Sequence, residues 1–268
     1  MLQLVIPAYN EAERLPRTLR ELRRHLADRT RIPGGVEVLV VDNASTDATA
    51  AVARAADCAI MPVRVVPCAE RGKGAAVAAG IAASDAELVG FMDADGATDL
   101  AAIDEAWRLL VLDADVAIGS RSLAESVVDA RHSLARDLGA RAYRRLARRL
   151  VPGIGDTQCG FKVLRGDLAR SVCAEMGATG FAFDVELLAR CQRRGARVTE
   201  FPVAWTDVPG STFVPARHGT QSFRELAQIA RRLRVVPATG SVPVSVRPAA
   251  GVGASLEQPA LAALGGVG

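Results

Sequence analysis

The sequence predicts an α/β fold built on a doubly wound, mostly parallel sheet with helices on both faces. Three observations support this prediction. Short apolar runs alternate with amphipathic segments throughout residues 1–121, which is the pattern of repeated strand–helix units. The runs are apolar at nearly every position, as expected of strands covered on both faces. The chain can also bury a substantial core, because 50% of its 268 residues are hydrophobic.

The first half of the chain gives strands and helices in alternation. A strand at 2–6 precedes a leucine-rich helix, which begins near residues 13–15 because Pro16 fits only a first helical turn. Ser45 or Thr46 is expected to cap the next helix, which runs to about residue 56. The remaining predicted strands are 36–41, 63–66, 87–92 and 115–118, and the remaining helices are 75–83 and 100–112.

The second half, residues 122–236, is expected to be more helical. A basic helix is predicted at 131–150, followed by a glycine-rich loop at 153–162. The further elements are helices at 167–176, 183–194 and 222–234 and a strand at 197–201. We expect residues 1–121 and 122–236 to be two halves of one domain. Residues 237–268 are rich in Gly, Ala, Pro and Val without periodicity, which predicts a disordered tail.

The composition argues against several classes of protein. The formal net charge of +3 is too small to indicate a nucleic-acid-binding protein. The cysteines are odd in number and form no Cys-x-x-Cys pair, so neither a disulfide framework nor a zinc site is expected. No signal peptide is expected, because Met1 leads directly into a strand, and no apolar run approaches the roughly 20 residues needed to span a bilayer. These features predict a cytoplasmic protein, either soluble or peripheral to a membrane.

The apolar run 88–92 ends in two carboxylates, Asp93 and Asp95. In a parallel sheet the carboxyl ends of the strands form the edge where ligands bind. Two carboxylates at this edge suit Mg²⁺ or Mn²⁺, with substrate phosphates completing the coordination shell. Taken alone, Asp-Ala-Asp-Gly favours a simple turn. The polarity of the neighbouring strand ends favours the metal site instead.

Other predicted strands also end in polar residues. Residues 7–11 follow the first strand, Asp42 ends the second, and Lys73 opens a helix after the third. Because these ends share one edge, we expect them to form a crevice that fits a nucleoside diphosphate and a metal. Asp42 can accept a hydrogen bond from a base or ribose. Lys73 and the backbone N–H groups around Gly72 and Gly74 can meet phosphate oxygens.

Two common nucleotide-binding motifs are absent from these positions. Pro67 stands where a P-loop has its first glycine, and Gly74 replaces the Ser or Thr that binds Mg²⁺. The turn after the first strand lacks the G-x-G-x-x-G pattern of dinucleotide folds. Singly, an aspartate at a helix start and a solvated lysine are ordinary surface residues. Polarity at all of these strand ends together favours the ligand site.

Two predicted helices, 131–150 and 222–234, are basic and amphipathic. Such charge runs are usually solvated faces or protein interaction surfaces. They also suit a helix that rests on anionic headgroups, with each arginine contributing about 1 kcal/mol. We prefer this peripheral contact with an anionic membrane surface, because the pattern occurs twice in a chain with no predicted membrane span.

Several of these motifs resemble the inverting GT-A glycosyltransferases of family 2. They are residues 7–11, 41–47, 71–74, 93–95 and 119–121. The second half is similar to a narrower group, the dolichyl-phosphate β-glucosyltransferases, at 93–98, 156–162, 181–188, 205–207 and 209–211. The resemblance extends over about residues 2–234 in uninterrupted order.

The resemblance implies transfer of glucose from UDP-glucose to a polyprenyl phosphate at the cytosolic membrane face, with Mg²⁺ or Mn²⁺ as cofactor. It assigns residues 1–121 to the nucleotide sugar and 122–236 to the acceptor. The implied nucleotide-sugar-binding residues are Pro7, Ala8, Tyr9, Asn10, Glu11, Asp42, Lys73, Asp93 and Ala94. The implied metal ligand is Asp95, together with Asp93. The implied acceptor-phosphate-binding residues are Arg121, Lys162 and Arg131. The acceptor loop, residues 153–162, is shaped by Asp156 and Gln158. The implied catalytic residues are Asp93, Asp95 and Asp184.

Asp184 has two equally supported interpretations: it binds the glucose hydroxyls or acts as a base, or it is a charge in a helix's first turn. The chain departs from the family pattern in two places. The N-terminal membrane anchor of eukaryotic members is expected to be absent, and Ala97 stands where related mannosyltransferases have a metal-binding Gln. The expected reaction is a single displacement, with the metal and Lys73 offsetting the charge of the leaving diphosphate.

Two other functions compete with this interpretation. The first is a family 2 enzyme that uses another sugar nucleotide, or a soluble hydroxyl or glycan acceptor, and needs a base such as Asp184. The second is a non-catalytic interaction module on the same fold. The presence of Lys73, Asp93 and Asp95 together argues against the second, since a binding relic does not require the metal pair.

Overall fold

A computed structural model describes residues 1–28, 32–129, 134–208, 215–235 and 245–246. Its strands are β1 (Leu2–Ala8), β2 (Val36–Asp42), β3 (Val63–Pro67), β4 (Leu88–Phe91), β5 (Val116–Ser120), β6 (Val127–Asp129), β7 (Lys162–Arg165), β8 (Val198–Pro202), β9 (Ala204–Thr206) and β10 (Ser245–Val246). Its helices are α1 (Leu15–Asp28), α2 (Thr49–Ala55), α3 (Lys73–Ala82), α4 (Ala101–Leu112), α5 (Leu134–Leu150), α6 (Gly166–Cys173), α7 (Phe183–Arg193) and α8 (Pro215–Val235).

In the described part of the chain, eight strands form the main sheet in the order β10-β8-β5-β7-β4-β1-β2-β3. Every neighbouring pair is parallel except the two that involve β7, which runs antiparallel to both β4 and β5. The predicted fold class, a mostly parallel doubly wound sheet, is confirmed. The position of β7 was not predicted: the expected loop 153–162 ends one residue earlier, because Lys162 is the first residue of this strand.

Alternate residues of each central strand enter two separate cores. In β1, Leu4 and Ile6 pack with α1 and α4 residues such as Leu19 and Ile103, while Val5 packs on the opposite face with residues such as Phe183. A side chain of this size contributes about 1.5–3 kcal/mol when it is fully buried. Covering both faces explains why the strand sequences are continuously apolar.

The start of α2 differs from the prediction. Ala48, which makes no side-chain cap hydrogen bond, precedes the first helical residue. Ser45 and Thr46 contact the loop after β1 instead: the Asn10 N–H donates to Ser45 Oγ (3.1 Å), and the Thr46 N–H donates to Asn10 Oδ1 (2.8 Å). The cap prediction was therefore wrong because these two residues join neighbouring strand ends.

Several predictions concern the second half and its end. The last basic helix begins at Pro215 rather than at residue 222, and β6 and β9 form an unpredicted two-stranded ribbon. Residues 131–133 and 209–211 lie outside the described residues, as does the tail except Ser245–Val246, which pair with β8. None of the described helices is both long enough and apolar enough to cross a membrane.

Candidate active site

The two carboxylates after β4 lie on a turn that is fixed from both sides. The Met92 N–H donates to Val5 O (3.0 Å), which extends the sheet hydrogen bonding to the turn's start. Asp95 Oδ1 accepts the Ala97 N–H at 3.0 Å, and the buried Thr18 hydroxyl donates to Ala94 O at 2.7 Å. These hydrogen bonds hold the carboxylates in a defined orientation before any ligand arrives.

Lys73, the first residue of α3, meets the first of these carboxylates. Its Nζ lies 2.5 Å from Asp93 Oδ1, and the two side chains are 18% and 34% exposed. Burial alone would lower the pKa of Lys73, but Asp93 and Asp184 outweigh it and raise the pKa. Burial and the adjacent Asp93 charge both raise the pKa of Asp95. The Lys73 ammonium is therefore partly enclosed beside two carboxylates that repel each other. The carboxylates attract a cation, and Lys73 attracts an anion bound to that cation.

The loop before β7 packs directly against Asp93. A Cβ atom built on Gly160 would lie 2.1 Å from Asp93 Oδ2, closer than real Cβ contacts come. A larger residue at this position would therefore force the Asp93 carboxylate or the loop to move. This contact connects the second half of the chain to the carboxylate turn of the first half.

The segment after β1 lies beside the end of β2. Ala8 pairs in register with Asp42, whose Oδ1 accepts the Ser45 N–H at 3.2 Å. Asn10 has a positive φ of 53°. Tyr9 is 38% exposed, with the Arg71 guanidinium 5.7 Å from its ring centroid. An exposed aromatic ring beside a strand-end carboxylate is suited to stack and hydrogen-bond a nucleoside.

Glu11 lies on the inner side of the same segment. It is 7% exposed and pairs with Arg14, whose Nη2 and Nε lie 2.5 and 2.7 Å from its carboxylate oxygens. Burial raises its pKa in spite of Arg14, and the charges of Asp95 and Asp93 raise it further. Its charge therefore acts on the carboxylate turn.

The loop that leads into α3 is held by a residue that sequence reasoning missed. Buried Asn43 donates from Nδ2 to Glu70 O (2.5 Å) and accepts the Gly72 N–H at Oδ1 (2.9 Å). Asn43 directly follows the strand-end residue Asp42, so the rule that polar strand ends form the site could have identified it. Its hydrogen bonds fix the backbone immediately before Lys73.

The N-terminal amides of α3 differ from the prediction. The Gly74 N–H donates to Gly180 O (3.2 Å), and the Ala75 N–H donates to Thr179 O (3.1 Å). With the Gly72 N–H bound to Asn43, these donors already have partners within the protein. The expectation that the amides of Gly72 and Gly74 themselves meet phosphate is therefore wrong. Lys73 is left as the group at this helix end that is directed at the carboxylate turn.

Arg121 follows β5 and forms a bidentate ion pair. Its Nε and Nη2 donate to Asp156 Oδ2 (2.7 Å) and Oδ1 (3.0 Å), and its backbone N–H also donates to Oδ2 (3.1 Å). The guanidinium carbon lies 5.3 Å from the Trp205 ring centroid. Burial raises the pKa of Asp156, but Arg121 outweighs it and holds the pKa below the ordinary value. β4 and β5 both run antiparallel to β7, so Asp93 after β4 and Arg121 after β5 follow strand ends at the same edge of the sheet.

Lys162 and Asp184 form a fully enclosed pair below this surface. Lys162 Nζ donates to Asp184 Oδ1 and to Cys159 O, each at 2.6 Å, and the Lys162 side chain is 0% exposed. Burial raises the pKa of Asp184, although Lys162 and Lys73 oppose the shift. In this conformation Lys162 reaches the acceptor side only by exchanging partners, so its contact with an acceptor phosphate stays a prediction.

The acceptor loop includes one orphaned polar group. The Gln158 N–H donates to Asp156 Oδ1 at 3.0 Å, whereas its side-chain Nε2 is buried and has no hydrogen-bond partner among the described residues. Arg131, the third residue expected to bind the acceptor phosphate, lies outside the described residues.

The donor set of the carboxylate turn fits a hard divalent cation. Within the described part of the chain, no cluster of three or more His, Cys, Asp or Glu side chains could hold a metal. Mg²⁺ and Mn²⁺ are commonly held by one or two carboxylates, with phosphate oxygens and water supplying the rest of the shell. Asp93 and Asp95 match that pattern, and a cation would relieve their mutual repulsion.

Comparison with known proteins supports the fold and the sequence motifs. Residues 3–172 match the model of glycosyl transferase family 2. The human dolichyl-phosphate beta-glucosyltransferase is 36% identical over 245 residues, covering 87% of this chain and 75% of the relative. The Drosophila melanogaster protein of the same name is 34% identical, covering 85% and 74%.

Among solved structures, the glucosyl-3-phosphoglycerate synthase of Mycobacterium tuberculosis has a similar fold. Its complex with Mn²⁺, UDP-glucose and phosphoglyceric acid aligns with a TM-score of 0.64 and 18% identity, covering 91% of this chain and 87% of that one. Its complex with Mg²⁺ and UDP gives a TM-score of 0.65 at 17% identity, covering 91% and 88%. This similarity confirms the expected GT-A type fold.

Proposed function

Because the chain belongs to glycosyl transferase family 2, we propose that it transfers glucose from UDP-glucose to a polyprenyl phosphate of the dolichyl type, with inversion at the anomeric carbon. The observation that carries this proposal is the cluster of Lys73, Asp93 and Asp95 at the carboxyl edge of the sheet, with Arg121 at the same edge. The names of the curated relatives support glucose as the sugar and a dolichyl phosphate as the acceptor.

The donor occupies the edge formed by β1, β2 and α3. Tyr9 and Asp42 contact the uridine, with Pro7, Ala8, Asn10 and Glu11 shaping that side of the crevice. Lys73 lies where the diphosphate enters, and its raised pKa keeps the ammonium charged at neutral pH. Asp93 and Ala94 border the ribose and diphosphate.

Asp95, with Asp93, would hold a Mg²⁺ or Mn²⁺ ion next to the donor's diphosphate. When bound, this ion neutralises negative charge on the departing UDP. The complexes of the structural neighbours with Mn²⁺, Mg²⁺ and UDP support this assignment. Lys73 adds a fixed positive charge to the same leaving group, which favours the transition state because the charge on UDP grows as the glycosidic bond breaks.

The acceptor phosphate attacks the anomeric carbon from the side opposite to UDP. A phosphate monoester has a second pKa near 6, so at neutral pH it is already largely ionised and needs little help from a general base. Orientation is therefore the main task of the protein on this side. Arg121 binds and orients the phosphate, with Asp156 fixing the guanidinium.

Asp184 and Lys162 contribute from below the reacting groups. Their enclosed ion pair lies close enough for the Asp184 charge to act on Lys73. Asp184 holds the glucose hydroxyls when it exchanges Lys162 for the sugar, and Lys162 is then released toward the acceptor phosphate. The alternative with a hydroxyl acceptor needs Asp184 as a base, and that role requires the same ion pair with Lys162 to open.

The membrane supplies the acceptor, and α5 provides the contact. Its arginines Arg141, Arg144, Arg145, Arg148 and Arg149 line one concave surface and are exposed, whereas Tyr143 and Ala147 on the other side are buried. This cationic face rests on anionic headgroups of the cytosolic leaflet.

A radiolabelled transfer assay tests the proposal. UDP-glucose, other UDP-sugars and GDP-mannose are each incubated with a short-chain polyprenyl phosphate, in Mg²⁺ or in a chelator. We expect label in the lipid fraction with UDP-glucose and metal only. Transfer from GDP-mannose instead, or no transfer to any polyprenyl phosphate while a soluble hydroxyl compound is glycosylated, would contradict the proposal.

A further inference from the structure

A buried glutamate on β8 accepts hydrogen bonds from the backbone of the acceptor loop. Glu200 is 1% exposed, and its two carboxylate oxygens each accept a backbone N–H: Oε2 from Gly155 (2.8 Å) and Oε1 from Asp156 (3.1 Å). Glu200 forms no ion pair with any described residue. Burying a carboxylate costs free energy unless it is hydrogen-bonded, so these two amides account for the presence of Glu200 in a buried strand.

Gly155 is packed between this glutamate and the segment after β5. A Cβ atom on Gly155 would lie 2.4 Å from Ser122 Oγ and 3.5 Å from both Glu200 carboxylate oxygens. The absence of a side chain lets the loop approach Ser122 this closely, whereas 3.5 Å to Glu200 is an ordinary contact distance. The backbone at Gly155 and Asp156 is therefore fixed from two directions.

This fixed backbone carries the side chain that orients Arg121. The Asp156 carboxylate uses Oδ2 and Oδ1 to bind Nε and Nη2 of the guanidinium, while Trp205 covers its face. Two of the five N–H donors of a guanidinium are thereby occupied. The remaining three, on Nη1 and Nη2, form no hydrogen bond within the described residues and match the oxygens of one phosphate group.

We infer that Glu200 is a positioning residue for the acceptor phosphate, acting through the Asp156 backbone and the Asp156 carboxylate on Arg121. The inference rests on the proposed function, because it assumes an acceptor that carries a phosphate. If it is correct, weakening the hydrogen bonds between Glu200 and the loop backbone impairs binding of the acceptor and leaves binding of the donor unchanged.

The test is steady-state kinetics of Glu200→Gln on the full chain. The glutamine keeps the shape but turns one acceptor oxygen into an NH₂ that opposes a backbone N–H. Loss of one hydrogen bond to a charged group predicts an acceptor KM about tenfold higher. The KM for UDP-glucose and the Kd for UDP, measured by titration calorimetry, should stay within about twofold of wild type.

A double-mutant cycle separates this role from a purely structural one. In an Arg121→Ala background, Glu200→Gln should add little further loss, because both changes act on the same contact. The matched control is Asp115→Asn, which removes a carboxylate that accepts the Arg197 N–H (2.8 Å) at the other end of the same strand pair. That control should leave the acceptor KM unchanged.

Three results would overturn the inference: equal rises in the KM values for donor and acceptor, full additivity with Arg121→Ala, or an unchanged acceptor KM. Should Glu200→Gln fail to fold, Glu200→Asp keeps the charge but can reach only one amide, and the same expectations and contradictions apply to it. Failure of the proposed function is distinguishable, because the wild-type protein would then transfer no glucose to a polyprenyl phosphate.

Discussion

Substituting alanine for Gly160 should damage the catalytic cluster without unfolding the protein. The new Cβ would lie 2.1 Å from Asp93 Oδ2, 2.4 Å from Cγ and 2.8 Å from Oδ1. Because real Cβ contacts do not fall below 3.0 Å, the carboxylate or the loop must move by about 0.9 Å. That movement is more than a third of the 2.5 Å distance between Asp93 and Lys73, enough to disrupt their contact.

A displacement of about 1 Å in an active site lowers the rate by roughly 100-fold. We therefore expect kcat/KM for Gly160→Ala to fall by about 10- to 100-fold, equivalent to about 1.4–2.7 kcal/mol of transition-state stabilisation. The dependence on Mg²⁺ should weaken in parallel. Asp93 is 34% exposed and can rotate toward solvent, so the free energy of unfolding should change by no more than about 1 kcal/mol.

Gly139→Ala is the matched control. Among the described residues, a Cβ atom on this α5 glycine would meet nothing within 4 Å, so activity should be unchanged and helix stability slightly higher. The assays are glucose transfer at varied Mg²⁺ and thermal unfolding. Wild-type kcat/KM with wild-type metal dependence in Gly160→Ala would refute the assignment of Asp93 to the reacting cluster.

Three further predictions follow from the same geometry. Asp95→Asn should reduce transfer by at least about 100-fold. It should nevertheless raise the Tm of the metal-free protein, because burial and the Asp93 charge disfavour the ionised form of Asp95. A lower Tm would contradict this expectation. Asp156→Asn should lower the Tm at pH 7. The difference from wild type should begin to shrink as the pH falls below about 4 and disappear only as the pH passes through the lowered pKa of folded Asp156, because a group with a lowered pKa stabilises the fold only while it is ionised. A difference that stays constant down to about pH 2.5 would argue against the ion pair. Changing Arg145 and Arg149 together to Gln should weaken sedimentation with anionic vesicles by about 30-fold, from about 1 kcal/mol per arginine, whereas the same change at exposed Arg20 and Arg24 of α1 should not.

The parallel part of the fold could be predicted because each strand buries both faces and is therefore apolar throughout. The antiparallel strand β7 could not. Its four residues, Lys162–Arg165, begin and end with a cation, and their pairing with β4 and β5 depends on contacts distant in sequence. The environment of Lys162 could not be predicted either, because it also depends on contacts distant in sequence. In the sequence Lys162 resembles a surface residue, whereas in the structure it is buried against Asp184.

The candidate site was predictable where a strand end carries its own polar residue, as at Asp42 and Asp93. It was not predictable where one loop covers another. Thr179 and Gly180 accept the N-terminal amides of α3, and nothing in their sequence indicates this contact. Glu200 could have been noticed in the sequence, because an acidic residue within a buried strand needs a hydrogen-bond partner.

The configuration of the product tests the central claim most directly. UDP-glucose carries an α-linked sugar, and a single displacement by the acceptor phosphate at the Lys73, Asp93 and Asp95 cluster must invert it. Proton NMR of the glycolipid formed by the wild-type protein from UDP-glucose and a short polyprenyl phosphate should show a β-linked glucosyl phosphate. An α-linked product, or glucose attached anywhere other than the phosphate, would contradict the account.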